Sequence, residues 1–271
     1  MHIEVDLGSV VVVNDIDGIF RNAKGPIAPA LTSAIQAVRY HDGTRIAAMT
    51  GSSIGFLPSI ELDFYWAESG AVHQDVHGHR WVALEAHDFA RRVQEQLRFF
   101  WRDGYVQLPS GKYIVLECNK RYASTCLLTG NPPFYANPEG FVTETMDEVE
   151  YWVRRSCEMF FPGEYALSRG RDTVYEFLDI THCNYTKRTR MESYLETLPE
   201  HDKVFYLGDS DSSDLSVMQL PRVIGVGFKN SGPGICEHVK RKGIYIDQDG
   251  PTGGTLTYYQ RLSTGCVWSD E

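Results

Sequence analysis

Residues Val10-Val11-Val12-Val13-Asn14-Asp15-Ile16-Asp17-Gly18-Ile19-Phe20 form an apolar run that stops at two aspartates one residue apart, followed by glycine. The valines mark a buried strand. Period two puts Asp15 and Asp17 on the same side of an extended chain, but the backbone turns where the strand ends, so both carboxylates can enter one crevice. Like charges at short range oppose joint ionisation, so a pair at a strand's carboxyl edge calls for a cation or a proton-transfer role. Asp and Gly are also ordinary turn residues. This segment alone therefore supports either a turn or a site, and the rest of the chain must decide.

With 271 residues, the chain has room for one large or two modest domains. Its 42% apolar and 23% charged content is that of an ordinary globular protein. The net charge is -10 with no basic block, which argues against nucleic acid as a partner. No apolar stretch is long enough to span a bilayer, and Met1 to Ser9 lacks the plan of a signal peptide, so the expected location is the cytoplasm, with no membrane partner. Six scattered cysteines without a C-x-x-C pair disfavour a zinc cage or a disulfide framework.

Working outward, strands alternate with helices. A glycine-proline loop leads to a helix at 31–40, a second strand spans 45–50, and a third spans 64–67, ending in Glu68-Ser69-Gly70. This is the pattern of a doubly wound (Rossmann-like) parallel sheet, whose ligands sit at the strands' carboxyl ends. The middle differs. Helices at 87–101 and 143–160, the latter opened by Thr143, each precede a pair of strands, at 113–117 with 124–128 and at 165–168 with 173–180, the second pair crossing a turn at Arg169 to Asp172. That makes an inserted α+β cap domain over 81–180, with the α/β core split into 1–80 and 181–271. After Thr186 the alternation resumes with a helix from Lys187, a strand at 204–207 and a strand at 223–226.

Four strand ends carry polar groups: Asp15 and Asp17, then Thr50, then Glu68, then Asp209, Asp211 and Asp214 in a single loop, with Lys187 opening a helix between the last two. Together these types match phosphoryl transfer. A carboxylate such as Asp15 can attack phosphorus, and a second acid two residues on can protonate the leaving alkoxide and then activate water. Magnesium takes carboxylate oxygens such as those of Asp15 and the 209–214 loop, while Thr50 and Lys187 suit the phosphoryl oxygens.

In order, Asp15-Ile16-Asp17-Gly18, Thr50-Gly51, Lys187, and Gly208-Asp209 with Asp214 resemble the motifs of the haloacid dehalogenase-like phosphohydrolases. Glu68-Ser69-Gly70-Ala71 is similar to the Glu-Asn-Gly-Ala stretch of the Cof-like subgroup, whose C2-type cap lies between the second and third motifs. Gly225-Val226-Gly227 with Asn230 is similar to another family segment. The resemblance implies a magnesium-dependent phosphatase acting on a small phosphorylated metabolite such as a sugar phosphate. It makes Asp15 the nucleophile and Asp17 the general acid and base. Thr50, Gly51 and Lys187 become phosphate ligands, and Asp15, Asp209, Asp214 and the Asp17 backbone carbonyl become metal ligands. Cap arginines Arg121 and Arg169 are the candidate substrate contacts.

The chain departs from the family twice. Its fourth-motif loop is one residue longer, which leaves Asp214 or Asp211 as the second metal carboxylate; Asp214 is favoured because Leu215 and Met218 continue a helix. Ser52 stands where the family often has arginine. Two rival readings remain, a phosphomutase of the phosphomannomutase type and a phospho-accepting signalling module. A metal site at His73, His77 and His79 lacks a supporting acid pattern, and nothing in the sequence fixes the oligomeric state.

Overall fold

The computed structural model describes residues 2–22, 25–41, 43–98, 101–102, 105–107, 112–116, 122–130, 143–171 and 175–270. The chain divides into two compact units, Met1–Trp81 with Lys187–Glu271, and Val82–Thr186.

The first unit begins with β1 (His2–Glu4), β2 (Val10–Asn14), α1 (Pro29–Arg39), β3 (Arg45–Met49), β4 (Phe64–Ala67), β5 (Val72–Asp75) and β6 (Arg80–Val82). The second unit follows with α2 (Leu84–Arg98), β7 (Trp101–Arg102), β8 (Tyr105–Gln107), β9 (Tyr113–Leu116), β10 (Ser124–Gly130), α3 (Met146–Phe160), β11 (Tyr165–Arg171) and β12 (Tyr175–His182). The chain then returns to the first unit with α4 (Lys187–Leu195), β13 (Lys203–Leu207), α5 (Leu215–Met218), β14 (Val223–Phe228), α6 (Pro233–Lys242), β15 (Ile244–Ile246), α7 (Gly254–Ser263) and β16 (Cys266–Trp268).

An eight-stranded sheet in the order β15-β14-β13-β2-β3-β4-β5-β6 organises the first unit. Pairing is parallel from β15 to β4, and β5 joins β4 antiparallel. The valines of β2 are wholly buried because both faces of the sheet are covered. Val10 and Val12 pack with Ile35 and Val38 of α1 and Tyr259 and Leu262 of α7. Val11 and Val13 pack with Met191 of α4, Val217 of α5 and Val239 of α6. From β2 the chain builds outward to β3 and β4 on one side, and the returning segment adds β13, β14 and β15 on the other. The strand order therefore reverses between β2 and β13, where such sheets open a crevice at their carboxyl edge.

In the second unit a six-stranded sheet, β11-β12-β10-β9-β8-β7, is antiparallel throughout. Phe89 and Val93 of α2 and Val149, Val153 and Cys157 of α3 cover Leu127, Leu178 and Ile180 of the sheet. Four details differ from the sequence reading. The helix expected at 87–101 is α2, with Trp101 already in β7, and four described strands, not two, lie between α2 and α3. Thr145, not Thr143, caps α3, its hydroxyl accepting from the Glu148 N–H at 3.4 Å and donating to the Glu148 carboxylate at 2.9 Å. The expected turn at Arg169 is strand: β11 runs through Arg171, with Gly170 opposite Phe177. A Cβ on Gly170 would lie 2.0 Å from the Phe177 ring, so this glycine makes room for an aromatic side chain.

Candidate active site

β13, β2, β3 and β4 are neighbours and parallel, so the residues just beyond them gather on one edge. As the chain leaves β2, the Asp15 N–H still bonds to Leu207 O of β13 at 2.8 Å. The Asp15 carboxylate accepts from the Ile16 N–H at 2.8 Å through Oδ1, and its Oδ2 lies 2.9 Å from Lys187 Nζ. Lys187 is the first residue of α4 and is 4% exposed. Its ammonium also donates to Asp214 Oδ1 at 2.7 Å.

Asp214 is wholly buried and accepts further bonds from the Tyr206 hydroxyl at 2.7 Å, the Asp209 N–H at 3.2 Å and the Ser210 N–H at 3.0 Å. Burial opposes its charge, but Lys187 and these donors outweigh it and hold the carboxyl below the usual range. The balance at its neighbours is reversed. Burial raises Asp15 well above the usual value against the pull of Lys187, with Asp214 and Asp209 adding to the rise. Burial, then the Asp214 charge, pushes Asp209 up to about 7.

Oxygens of Asp15, Asp209 and Asp214 lie within 4.8 Å of one another, the one such group of metal-ligating types among the described residues. Three acids facing one ammonium leave the cluster short of positive charge. An all-oxygen set of this kind suits a hard divalent cation such as magnesium. Asp211 turns elsewhere: its carboxylate accepts from the Gly234 and Ile235 N–H groups at 3.0 and 2.8 Å, at the first turn of α6. Gly18 has φ +86°, and a Cβ there would sit 1.9 Å from Asp209 Oδ2, so only glycine lets the two loops approach this closely.

Asp17 faces Arg21, whose Nε donates to Oδ1 at 2.9 Å, and Ser52, whose hydroxyl donates to Oδ2 at 3.1 Å. Thr50 is buried, its Oγ1 accepting from the Ser52 N–H at 3.0 Å and its own N–H bonded to Trp66 O at 2.8 Å. Gly51 lies between them, half-buried. After β4, Glu68 and Ser69 adopt φ of 48° and 58°, a left-handed conformation that non-glycine residues hold only under strong local constraint.

Arg121 lies outside the described residues. Arg169 is held by acids of its own unit, Asp147 at 2.5 Å, Glu176 at 3.1 Å and Glu150 at 3.6 Å. Its guanidinium is committed to packing strand against helix. His73 stacks on Trp81 with ring centroids 5.2 Å apart, and His79 bonds Asp75 at 3.0 Å, so these histidines serve the hairpin.

The sequence assigned no role to Tyr206 or Arg21, and named Asn230 without its partners. Tyr206 supplies a hydroxyl to Asp214. Arg21 holds Asp17. Asn230 joins Gly18 O, at 2.9 Å, to the Gly250 N–H, at 2.7 Å, bracing the loop after β2. Only the position of Asn230 carried a signal.

This strand order, the acids at the switch between β2 and β13, and a second unit inserted after the third parallel strand define a Rossmann-like fold of the haloacid dehalogenase type. Solved structures of that superfamily share it. A haloacid dehalogenase-like hydrolase from B. subtilis has a TM-score of 0.58 at 12% identity, over 93% of this chain and 99% of its own. A protein of the haloalkanoate (HAD) phosphatases from Bacteroides thetaiotaomicron gives 0.59 at 16% identity, over 94% of each chain. A sugar phosphatase of HAD subclass IIB gives 0.55 at 16%, over 93% and 98%. At these identities the likeness is one of fold. No family model and no curated protein matches the chain.

Proposed function

We propose that this protein is a magnesium-dependent phosphatase that hydrolyses a small phosphomonoester, such as a sugar phosphate, through an aspartyl-phosphate. The observation that carries the reading is the buried Asp15 carboxylate at the carboxyl end of the central strand, 2.9 Å from Lys187, with oxygens of Asp209 and Asp214 close by. The sugar phosphatase of like fold supports the substrate class.

In this reading Asp15 attacks phosphorus and the bond to the leaving oxygen breaks. Asp17 gives that oxygen a proton, then takes one from the water that attacks phosphorus and releases Asp15. Thr50, the backbone at Gly51 and Lys187 hold the phosphoryl oxygens as charge builds on them. Asp15, Asp209 and Asp214, with the Asp17 carbonyl, hold the cation, which offsets the negative charge that phosphate adds to an already acidic cluster. The inserted unit, 81–180 in sequence, acts as the cap that selects substrate.

A screen of phosphorylated metabolites, run with magnesium and again after chelation, tests this directly. Metal-dependent phosphate release is expected, and Asp15→Asn should abolish it while leaving the circular-dichroism spectrum unchanged. Release that survives chelation, or turnover that survives in Asp15→Asn, would contradict the reading.

A further inference from the structure

Arg21 is 7% exposed, although it belongs to neither the nucleophile, the metal acids nor the phosphate-binding set. A guanidinium is costly to bury unless its donors are matched. Here Nε donates to Asp17 Oδ1 at 2.9 Å and Nη2 to Phe56 O at 2.6 Å, while the Arg21 carbonyl accepts from the Gly18 N–H at 2.9 Å. One side chain therefore ties the loop after β2 to the loop after β3. The other oxygen of Asp17, Oδ2, meets the Ser52 hydroxyl at 3.1 Å. Ser52 is itself held, its N–H bonded to Thr50 Oγ1 at 3.0 Å.

We infer that Arg21 is the positioning residue of the general acid and base, clamping Asp17 through Oδ1 so that Oδ2 is the oxygen that exchanges the proton. This rests on the phosphatase reading above. A guanidinium and a hydroxyl differ in what they allow the oxygen they bond. Arginine only donates and does not give up its proton in proteins, so the lone pair of Oδ1 that faces Nε is occupied throughout the cycle. A serine hydroxyl both donates and accepts, so it can stay bonded to Oδ2 whether or not that oxygen carries a proton. In the first step the Oδ2 proton passes to the leaving oxygen as its bond to phosphorus breaks and the Asp15–phosphorus bond forms. In the second, Oδ2 takes a proton from water as the water oxygen bonds phosphorus and Asp15 leaves. Arg21 keeps its charge and its protons in both. The clamp also limits the side chain's rotation, as delivery of a proton to one atom requires.

A clamp on the general acid has a signature that a purely structural role lacks. Proton delivery matters for a poor leaving group such as an alkoxide and little for an activated aryl oxide. The test compares kcat/KM, which reports the steps up to cleavage of the ester bond and not the later hydrolysis common to all esters, on an alkyl phosphate and on p-nitrophenyl phosphate for the unaltered protein, Arg21→Gln and Arg21→Lys. Arg21→Gln should lose on the order of 100-fold on the alkyl ester and less than about tenfold on the aryl ester. Arg21→Lys, which keeps the charge and the fold but not the two-pronged reach, should fall between the two on the alkyl ester. Equal losses on both esters, in either variant, would overturn the clamp, and so would full activity in both. If Arg21→Gln melts too low to assay, Arg21→Lys decides alone by the same ratio. If the unaltered protein cleaves neither ester, the phosphatase reading falls and takes this inference with it.

Discussion

The Lys187 ammonium lies 2.7 Å from one carboxylate oxygen of Asp214 and is buried with it. Asp214 is in turn bonded by Tyr206, Asp209 and Ser210, so it is a hub that holds α4 to the loop after β13. Removing one partner of such a buried group strands the charge of the other. Lys187→Met should therefore cost about 3–5 kcal/mol in urea unfolding of the metal-free protein. Adding Asp214→Asn to that variant should recover part of the loss, because the stranded charge is removed. A double variant no more stable than the single one would show that Lys187 does not compensate Asp214.

Gly18 supports a second prediction. Its φ of +86° and the 1.9 Å approach of a built Cβ to Asp209 Oδ2 leave no space for a methyl group. Gly18→Ala must displace the Asp209 carboxylate from its present position. Magnesium affinity, measured by calorimetric titration, should weaken by about 10- to 100-fold, the range typical for groups that position metal ligands. Unchanged affinity would mean that Asp209 does not serve the cation from this position.

Much of this was legible in the sequence. The valine run marked β2, and each later apolar run ended where its polar residue now stands on the same sheet edge. Those are local signals, carried by periodicity and by the residue types that close a strand. The misreadings have local causes too. Arg169-Gly170-Arg171-Asp172 has turn composition, but the glycine faces Phe177 across a strand pair. Thr143 and Thr145 both offer a cap, and Glu148, three residues on, favoured Thr145. The Asp17–Arg21 and Asp214–Tyr206 contacts had no such signal, and Asn230 was marked by its position but not by its partner Gly18. Each depends on where a side chain points once the strands are assembled.

Asp211 separates two acids of one loop by role. Its carboxylate accepts two N–H groups of the first turn of α6, so Asp211→Ala should destabilise by about 1 kcal/mol, as loss of a helix cap does. Magnesium affinity should be unchanged in the same variant. Asp214→Ala should lose both stability and magnesium binding. A loss of metal affinity in Asp211→Ala matching that in Asp214→Ala would return Asp211 to the ligand set.

Proton and metal binding should be linked at this site. In the metal-free fold Asp15 lies well above its usual value and Asp209 at about 7, so both retain protons that the unfolded chain releases near 3.8. A carboxyl whose folded value is raised favours the folded state at low pH. That stability is lost as pH climbs from about 4 through 7, at up to about 1.4 kcal/mol per pH unit for each retained proton. Asp214, held low, acts in the opposite sense but below pH 3.8, outside that window. A cation takes the place of the retained protons, so its stabilising effect should grow with pH. Thermal melts with chelator and with magnesium at pH 6, 7 and 8 should show a rising magnesium-induced shift. Asp209→Asn, which cannot retain or release that proton, should flatten the trend. A magnesium shift that is constant across this range, or metal-free stability that increases from pH 5 to 7 relative to Asp209→Asn, would contradict the linkage.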